Sequence, residues 1–235
     1  QFFADIRARG GKIAQIGASL PPLSSGQEQV VDASGLLVLP GAIDPHVHLP
    51  GSVEDFESGS ETALAGGITT FGNMTFPRTG ETVNDAVVRV SSLIAQQAKL
   101  DIFLHPGLRG YSEDAPAQLA AQYAAGHTSM KVQMSRAGFD EKAPEFLKLI
   151  DSAGKAGAVS LIHCEDYPII ADTTQALMAA GKTSARYWAE SRTVLAEVVS
   201  VQRAVAISEH TGAPIKVVHL SSARALDVCR EARSR

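Results

Sequence analysis

Apolar residues recur along this chain in two alternating rhythms. Short runs rich in Val, Ile and Leu give way to longer stretches whose apolar positions fall three or four apart. The short runs predict strands over Val38–His48, Ile68–Met74, Leu100–His105, Ser129–Met134, Ala158–His163 and Ile215–Leu220. Between them the helical rhythm predicts helices over Glu57–Ala65, Thr82–Lys99, Ala115–Ala125, Glu141–Ala156, Ile169–Ala180, Arg186–His210 and Ser222–Arg233. Glycines at Gly67, Gly126, Gly157, Gly181 and Gly212 stand where helices should end, since the left-handed residue that closes a helix favours glycine. Ahead of this repeat, Ala4–Gly17 reads as a hairpin about Gly10-Gly11. A Pro, Ser and Gly loop over Ala18–Gln27 and a short strand at Gln29–Asp32 follow it.

Strand and helix in strict alternation mean parallel strands joined by right-handed crossovers, hence a barrel or a doubly wound sheet. No GxGxxG follows the first strand, so a dinucleotide-binding sheet lacks its fingerprint and the (β/α)8 TIM-type barrel is preferred. Six of its eight units are predicted, and an open barrel would expose strand edges. The expectation is a piece of a longer protein: residues 1–40 belong to a small domain and 41–235 form the partial barrel.

Composition narrows the class. In 235 residues, 45% are hydrophobic and 20% charged, ordinary values for a globular protein, and a net charge of −4 without a basic cluster gives no footprint for nucleic acid. No apolar run is long enough to predict a membrane span, and the first residues do not read as a signal peptide. Cys164 and Cys229 fit no disulfide or CxxC pattern, which suits a reducing cytoplasm. Cys164 follows a histidine and could be a nucleophile; a small buried residue is the preferred reading.

The candidate chemistry sits at the predicted strand ends. In Asp44-Pro45-His46-Val47-His48, alternation puts both imidazoles on one face, where they could share an ion or lie idle at the surface. His163 and His219 end the fifth and sixth barrel strands, and in the fourth Lys131 faces opposite Met130 and Val132. Val159, Leu161 and His163 should share the inner face, as should Ile215, Val217 and His219. A lysine aimed into a barrel is costly unless neutralised or paired. It pairs with a carboxylate, reaches solvent, or reacts with carbon dioxide to give a carbamate whose two oxygens bridge two cations. Four histidines and a lysine ending strands of one barrel make coincidence improbable.

Five ordered motifs carry a resemblance across essentially the whole chain. They are Asp44-Pro45-His46-Val47-His48, Ala65-Gly66-Gly67-Ile68-Thr69-Thr70, Thr128-Ser129-Met130-Lys131, Ile162-His163-Cys164-Glu165 and Val218-His219-Leu220-Ser221-Ser222. Together they resemble the amidohydrolase superfamily, and within it the cyclic amidases: dihydropyrimidinase or hydantoinase, with allantoinase and dihydroorotase as relatives. Asp55-Phe56-Glu57-Ser58-Gly59 and the stretch from Tyr187 through Ser191-Arg192 to Glu197 are similar to the hydantoinase branch.

The resemblance implies that residues 1–40 are the start of a small β-sandwich beside the barrel. It also implies two divalent metal ions, zinc by preference. His46 and His48 would hold one, His163 and His219 the other, and a carbamate on Lys131 would bridge them. Two cations sharing a water lower its pKa from about 15.7 towards 7, so hydroxide could open a ring amide to an N-carbamoyl amino acid. The implied proton shuttle is an aspartate ending an eighth strand, expected beyond Arg235, without which this segment alone would not turn over. The implied partners are a small cyclic amide or ureide and further copies of the chain, as dimer or tetramer, with neither membrane nor nucleic acid. A non-catalytic scaffold of the same fold is the rival, and its mark would be lost ligands.

Three positions depart from relatives' patterns. Pro50 stands where dihydroorotases carry an arginine, and the asparagine expected near Thr75-Phe76-Pro77 is not evident, so that branch is disfavoured. Arg136 stands where hydantoinases place a tyrosine that donates to the developing oxyanion. The arginine could donate instead, bind an anionic substrate group, or face solvent. His105 could line the pocket or simply begin a loop before Pro106-Gly107. Arg78 and Arg109 occupy loops on the same face, where exposed salt pairing is the commoner fate, and His127 and His210 read as solvent-exposed.

Overall fold

The computed structural model describes residues 2–23, 26 and 28–234 and divides the chain into two compact units, Gln1–Pro40 and Gly41–Arg235. In the first unit, β1 (Asp5–Arg9) and β2 (Lys12–Gly17) form an antiparallel hairpin. Its turn needs positive φ at two successive positions, and Gly10 (57°) and Gly11 (72°) supply them without steric cost. Gln29–Asp32 is not a strand, because no neighbour among the described residues offers it a hydrogen-bonding edge. Ser24, Ser25 and Gln27 of the predicted loop lie outside the described residues.

The second unit contains the six predicted strand–helix units. They run β3 (Ala42–Val47), α1 (Phe56–Ala65), β4 (Ile68–Thr75), α2 (Val83–Gln97), β5 (Asp101–Pro106), α3 (Ala115–Ala124) and β6 (Ser129–Gln133). After them come α4 (Ala143–Lys155), β7 (Val159–His163), α5 (Tyr167–Ala179), α6 (Trp188–Ser191), α7 (Val194–Thr211), β8 (Ile215–Val217) and α8 (Ala223–Arg233). All pairings are parallel, in two three-stranded sheets, β3-β4-β5 and β6-β7-β8, linked by a bridge between Gly107 and Lys131. This is a (β/α)8-type barrel represented by six of its units.

The helices start where local chemistry starts them. Asp55 and Thr82 each accept a hydrogen bond from the third residue of the helix they open, whose side chain answers back to the cap's N–H. Met130 and Val132, both 1% exposed, face outward from β6 into the core formed with α3, α4 and α7. Each such burial contributes roughly 1.5–3 kcal/mol. Met74, Leu161 and Val218 make a smaller cluster, with Phe76 and Val159 packed against it.

Three predicted boundaries move. Leu36–Leu39 are exposed and unpaired, so the first barrel strand begins at Ala42 rather than Val38. The long helix over 186–210 is broken: a 3-10 turn at Ala185–Tyr187 and the short α6 precede α7, which Thr193 caps. Strand β8 ends at Val217, not Leu220. There alternation misleads, since Ile215 and Val217 pack against the outer core while Val218 turns inward.

Candidate metal centre

The C-terminal ends of β3 and β7, the middle of β6 and the segment after β8 bring four imidazoles and one amine together. On β3 the Asp44 carboxylate accepts the His46 N–H at 3.0 Å, holding the irregular strand end at the point where its register with β4 shifts. The Nε2 atoms of His46 and His48 then face each other at 3.0 Å. Ring centroids run from His48 to His46 at 5.1 Å, from His46 to His219 at 5.2 Å and from His219 to His163 at 4.5 Å.

His219 joins this row by a route that alternation did not foresee. Its φ is +38°, the one positive value on a non-glycine residue among those described. That strained left-handed conformation, uncommon for residues with a Cβ, turns it out of the β8 register.

Lys131 lies in β6 in register with Leu161 and is 1% exposed. Its Nζ is buried and has no hydrogen-bond partner. Neither of the ordinary fates for such a lysine is met: it reaches neither a carboxylate nor solvent. Burial lowers its pKa to about 8, so an appreciable share of amine is neutral and nucleophilic near neutrality. Gly107 permits this placement, because a Cβ there would come within 2.9 Å of the Lys131 Cβ.

The same burial favours the neutral form of three of the imidazoles, His46, His48 and His219. Desolvation, reinforced by Lys131 and neighbouring histidines, pushes His46 down to about 3; burial and then His163 push His219 down to about 4. The pKa of His48 is lowered too, chiefly by burial and then by Lys131. Neutral imidazoles are nitrogen donors to a cation. The two Nε2 atoms, 3.0 Å apart, lie close enough that both imidazoles could serve one cation. Among the described residues, no three His, Cys, Asp or Glu side chains are arranged to hold an ion by themselves.

Other predicted residues have other tasks. His105 sits on the inner face of β5, in register with Met74, with both ring nitrogens engaged. The Pro45 carbonyl can only accept, so Nε2 donates to it at 3.1 Å and Nδ1 accepts from the Ser129 hydroxyl at 2.5 Å. His105 therefore ties β5 to β6 and to the strand end carrying the histidine pair, and is not free to meet a substrate. Gly72 leaves room for it, since a Cβ there would lie 2.5 Å from the ring.

Arg136 is exposed on the loop after β6 and donates to the Gln133 side chain. Burial, then the nearby Arg109 charge, lowers its pKa. Arg109 lies 5.3 Å over the Phe76 ring, which in turn stacks on His48 at 6.3 Å. Neither arginine makes an ion pair among the described residues. Arg78 is exposed, with its backbone N–H donating to Glu81. His210 is exposed, whereas His127 is half-buried. Cys164 is 3% exposed and burial raises its thiol pKa to about 12, which makes it packing and not a nucleophile.

Sequence reasoning passed over two supports. Asn73, fully buried in β4, bonds both backbone polar groups of Leu49, the residue after His48. Glu165 accepts from His163 at 2.6 Å. An asparagine inside an apolar strand and an acid two residues past a histidine were the available signals.

A parallel α/β barrel with a buried lysine and an imidazole row at one mouth is a metallohydrolase-like scaffold. The sequence matches the amidohydrolase family over residues 37–226, and the chain belongs to that family. It is 30% identical to the D-hydantoinase of Ralstonia pickettii over 239 residues, covering 99% of this chain and 51% of that protein. It is 34% identical to the allantoinase of Bacillus velezensis over 240 residues, covering 98% of this chain and 51% of that protein. The solved D-hydantoinase (dihydropyrimidinase) from Thermus sp. superposes with a TM-score of 0.88 at 33% identity, covering 99% of this chain and 52% of that one. The chain spans about half the length of the curated relatives it matches.

Proposed function

We propose that the protein containing this chain hydrolyses a carbon–nitrogen bond of a small cyclic amide, of hydantoin or dihydropyrimidine type, to an N-carbamoyl amino acid. The observation that carries the reading is the buried, unpartnered Lys131 amine beside a row of four imidazoles, of which burial lowers the pKa of His46, His48 and His219. His46 and His48 would hold one divalent cation and His163 and His219 another, with a carbamate on Lys131 bridging them. Such a pair supplies Lewis-acid polarisation of the ring carbonyl and a lowered pKa for water.

The residues of this chain do the holding and orienting. His105 and Asn73 fix the strand end that carries His46 and His48. Glu165 fixes the tautomer of His163 by taking the hydrogen of its Nε2. Proton transfer to the leaving ring nitrogen falls to the aspartate that the resemblance assigns to an eighth strand, outside the six described here. Arg109 and Arg136 flank the mouth without acidic partners and would favour a substrate bearing negative charge.

Allantoin is the second candidate ring, supported by the allantoinases among the relatives, one of them 34% identical. Retention of all five candidate ligands argues against a scaffold that has left catalysis. Two free cysteines support a cytoplasmic setting. Metal analysis of the intact protein, with ring-opening assays on hydantoin, dihydrouracil and allantoin, tests the reading. Bound cations and turnover of one ring are expected; no bound metal and no ring opening overturn it.

A further inference from the structure

We propose that the segment from Tyr187 to Glu197 is a positioning brace for His163 and His219, acting on the first through Arg192 and Glu165 and on the second through Glu197. The inference rests on the reading that these two imidazoles hold one of the cations, and it gives a task to Arg192 and Glu197, which belong neither to the core nor to the ligand set.

The first arm starts at His163. Its Nε2 lies 2.6 Å from a Glu165 oxygen. An ionised carboxylate only accepts, so Nε2 carries the hydrogen and the Nδ1 lone pair is left for a ligand. The same Glu165 oxygen takes Nη1 of Arg192 at 3.4 Å, and the Arg192 guanidinium lies 4.3 Å over the Trp188 ring. The Arg192 Nε is buried with no partner, so this arginine is placed by Glu165 and Trp188 and not by a hydrogen-bond network of its own. The Asp166 N–H donates to the Ala196 carbonyl at 3.0 Å, tying the loop that carries Glu165 to the start of α7.

The second arm starts one helical turn into α7. The Glu197 carboxylate accepts the N–H of Ser221 at 2.7 Å and that of Ser222 at 2.9 Å. Those two amides lie two and three residues after the left-handed residue His219, and the Ser221 hydroxyl closes the turn onto the His219 carbonyl at 2.7 Å. A non-glycine residue keeps positive φ only where its surroundings over-determine it, and Glu197 supplies that determination. One segment thus orients both imidazoles, while His46 and His48 are held separately by Pro45–His105 and Leu49–Asn73.

The test uses the intact protein and the variants Glu165→Ala, Glu165→Gln, Arg192→Ala, Arg192→Lys and Glu197→Gln. Zinc affinity for each site is read by competition with a chelator, and the ligand field by the absorption of the cobalt-loaded protein. Thermal melts and circular dichroism confirm folding. Wild type should hold two cations. Glu165→Ala, Arg192→Ala and Glu197→Gln should weaken one of them 10–100-fold, the range typical when a ligand's hydrogen-bond partner is removed, and leave the other unchanged. Glu165→Gln, whose amide oxygen still accepts, and Arg192→Lys should recover part of the loss. Folded variants with two wild-type affinities and an unaltered cobalt spectrum overturn the brace alone, as does equal weakening of both sites. A wild type that takes up no cation overturns the metal reading and this inference with it.

Discussion

The side-chain amide of Asn73 brackets the backbone of Leu49: its oxygen accepts the Leu49 N–H at 2.7 Å and its nitrogen donates to the Leu49 carbonyl at 2.9 Å. Leu49 follows His48, so a side chain on β4 determines where β3 delivers its histidine pair. Replacing Asn73 by Ala leaves two buried backbone groups unpaired, at a cost of about 1–3 kcal/mol for each unsatisfied group. Urea unfolding of Asn73→Ala should show that loss, together with weaker zinc retention. An unchanged midpoint would contradict the bracket's role.

Lys131 carries the opposite prediction for stability. Its amine is buried without a partner, so Lys131→Met, similar in length and apolar, should stabilise the metal-free, uncarboxylated protein by about 1–3 kcal/mol. The same change should abolish uptake of both cations. With a pKa of about 8 against 10.5 unfolded, the wild-type lysine costs stability below pH 8, and stability should climb as pH rises from about 8 towards 10.5. Thermal melts of both proteins across that range measure the difference, and Lys131→Met should flatten the climb.

Acid should unsettle the metal-free protein before its carboxylates titrate. The pKa values of His46, His48, His105 and His219 are all lowered from 6.5, first of all by burial. The unfolded chain therefore binds more protons below pH 6.5, and stability present above that value falls as pH drops towards 4. Urea midpoints between pH 7 and 4.5 should decline, less steeply in His105→Gln. A flat profile above pH 4.5 would refute the assignment.

Under the proposed function, Arg136 and Arg109, which make no ion pair among the described residues, would favour a negatively charged ring over a neutral one. A ring with an ionised carboxylate side chain should show a lower KM than its neutral isostere, and the gap should shrink as salt is raised. Arg136→Gln should raise KM several-fold for the anionic ring while leaving the neutral one nearly unaffected. Equal effects on both would mean that Arg136 acts on neither charge.

Cys164 should be inert. With its thiol pushed up to about 12 by burial, native protein at pH 8 should react with a thiol reagent at Cys229 first, and at Cys164 only on unfolding. Prompt modification of Cys164 in the folded protein would count against that burial.

Much of the second unit was readable from periodicity, because each strand buries one face under helices and each helix shows the sheet one apolar stripe. Ile68, Ser129 and Ile215 begin strands where the pattern put them. Lys131 was readable as inward-facing, since Met130 and Val132 had to take the outer core. The pattern failed where hydrogen-bonding partners decide: Gln29–Asp32 and Val38–Leu39 have strand-like composition but no neighbouring strand among the described residues. It failed again at β8, where alternation assigned Ile215 and Val217 to the wrong face. His219 reaches the mouth through a single positive φ, which no local period encodes. His105 was visible only as a histidine before a proline; its two bonds run to residues 24 and 60 positions away.

By itself, the order of residues determined the alternation of strand and helix, the strand ends where histidines and a lysine collect, and the inward aim of that lysine. These follow from short-range geometry, since each depends on neighbours a few positions apart. Only the tertiary structure decided that the amine is left without a partner and that His46, His48 and His219 are desolvated towards their neutral form. It alone assigned Asn73, His105, Glu165 and Glu197 to holding the mouth in shape. Those outcomes depend on groups brought together from distant parts of the chain, and burial acquires its electrostatic meaning only once the surrounding strands and helices have displaced the water.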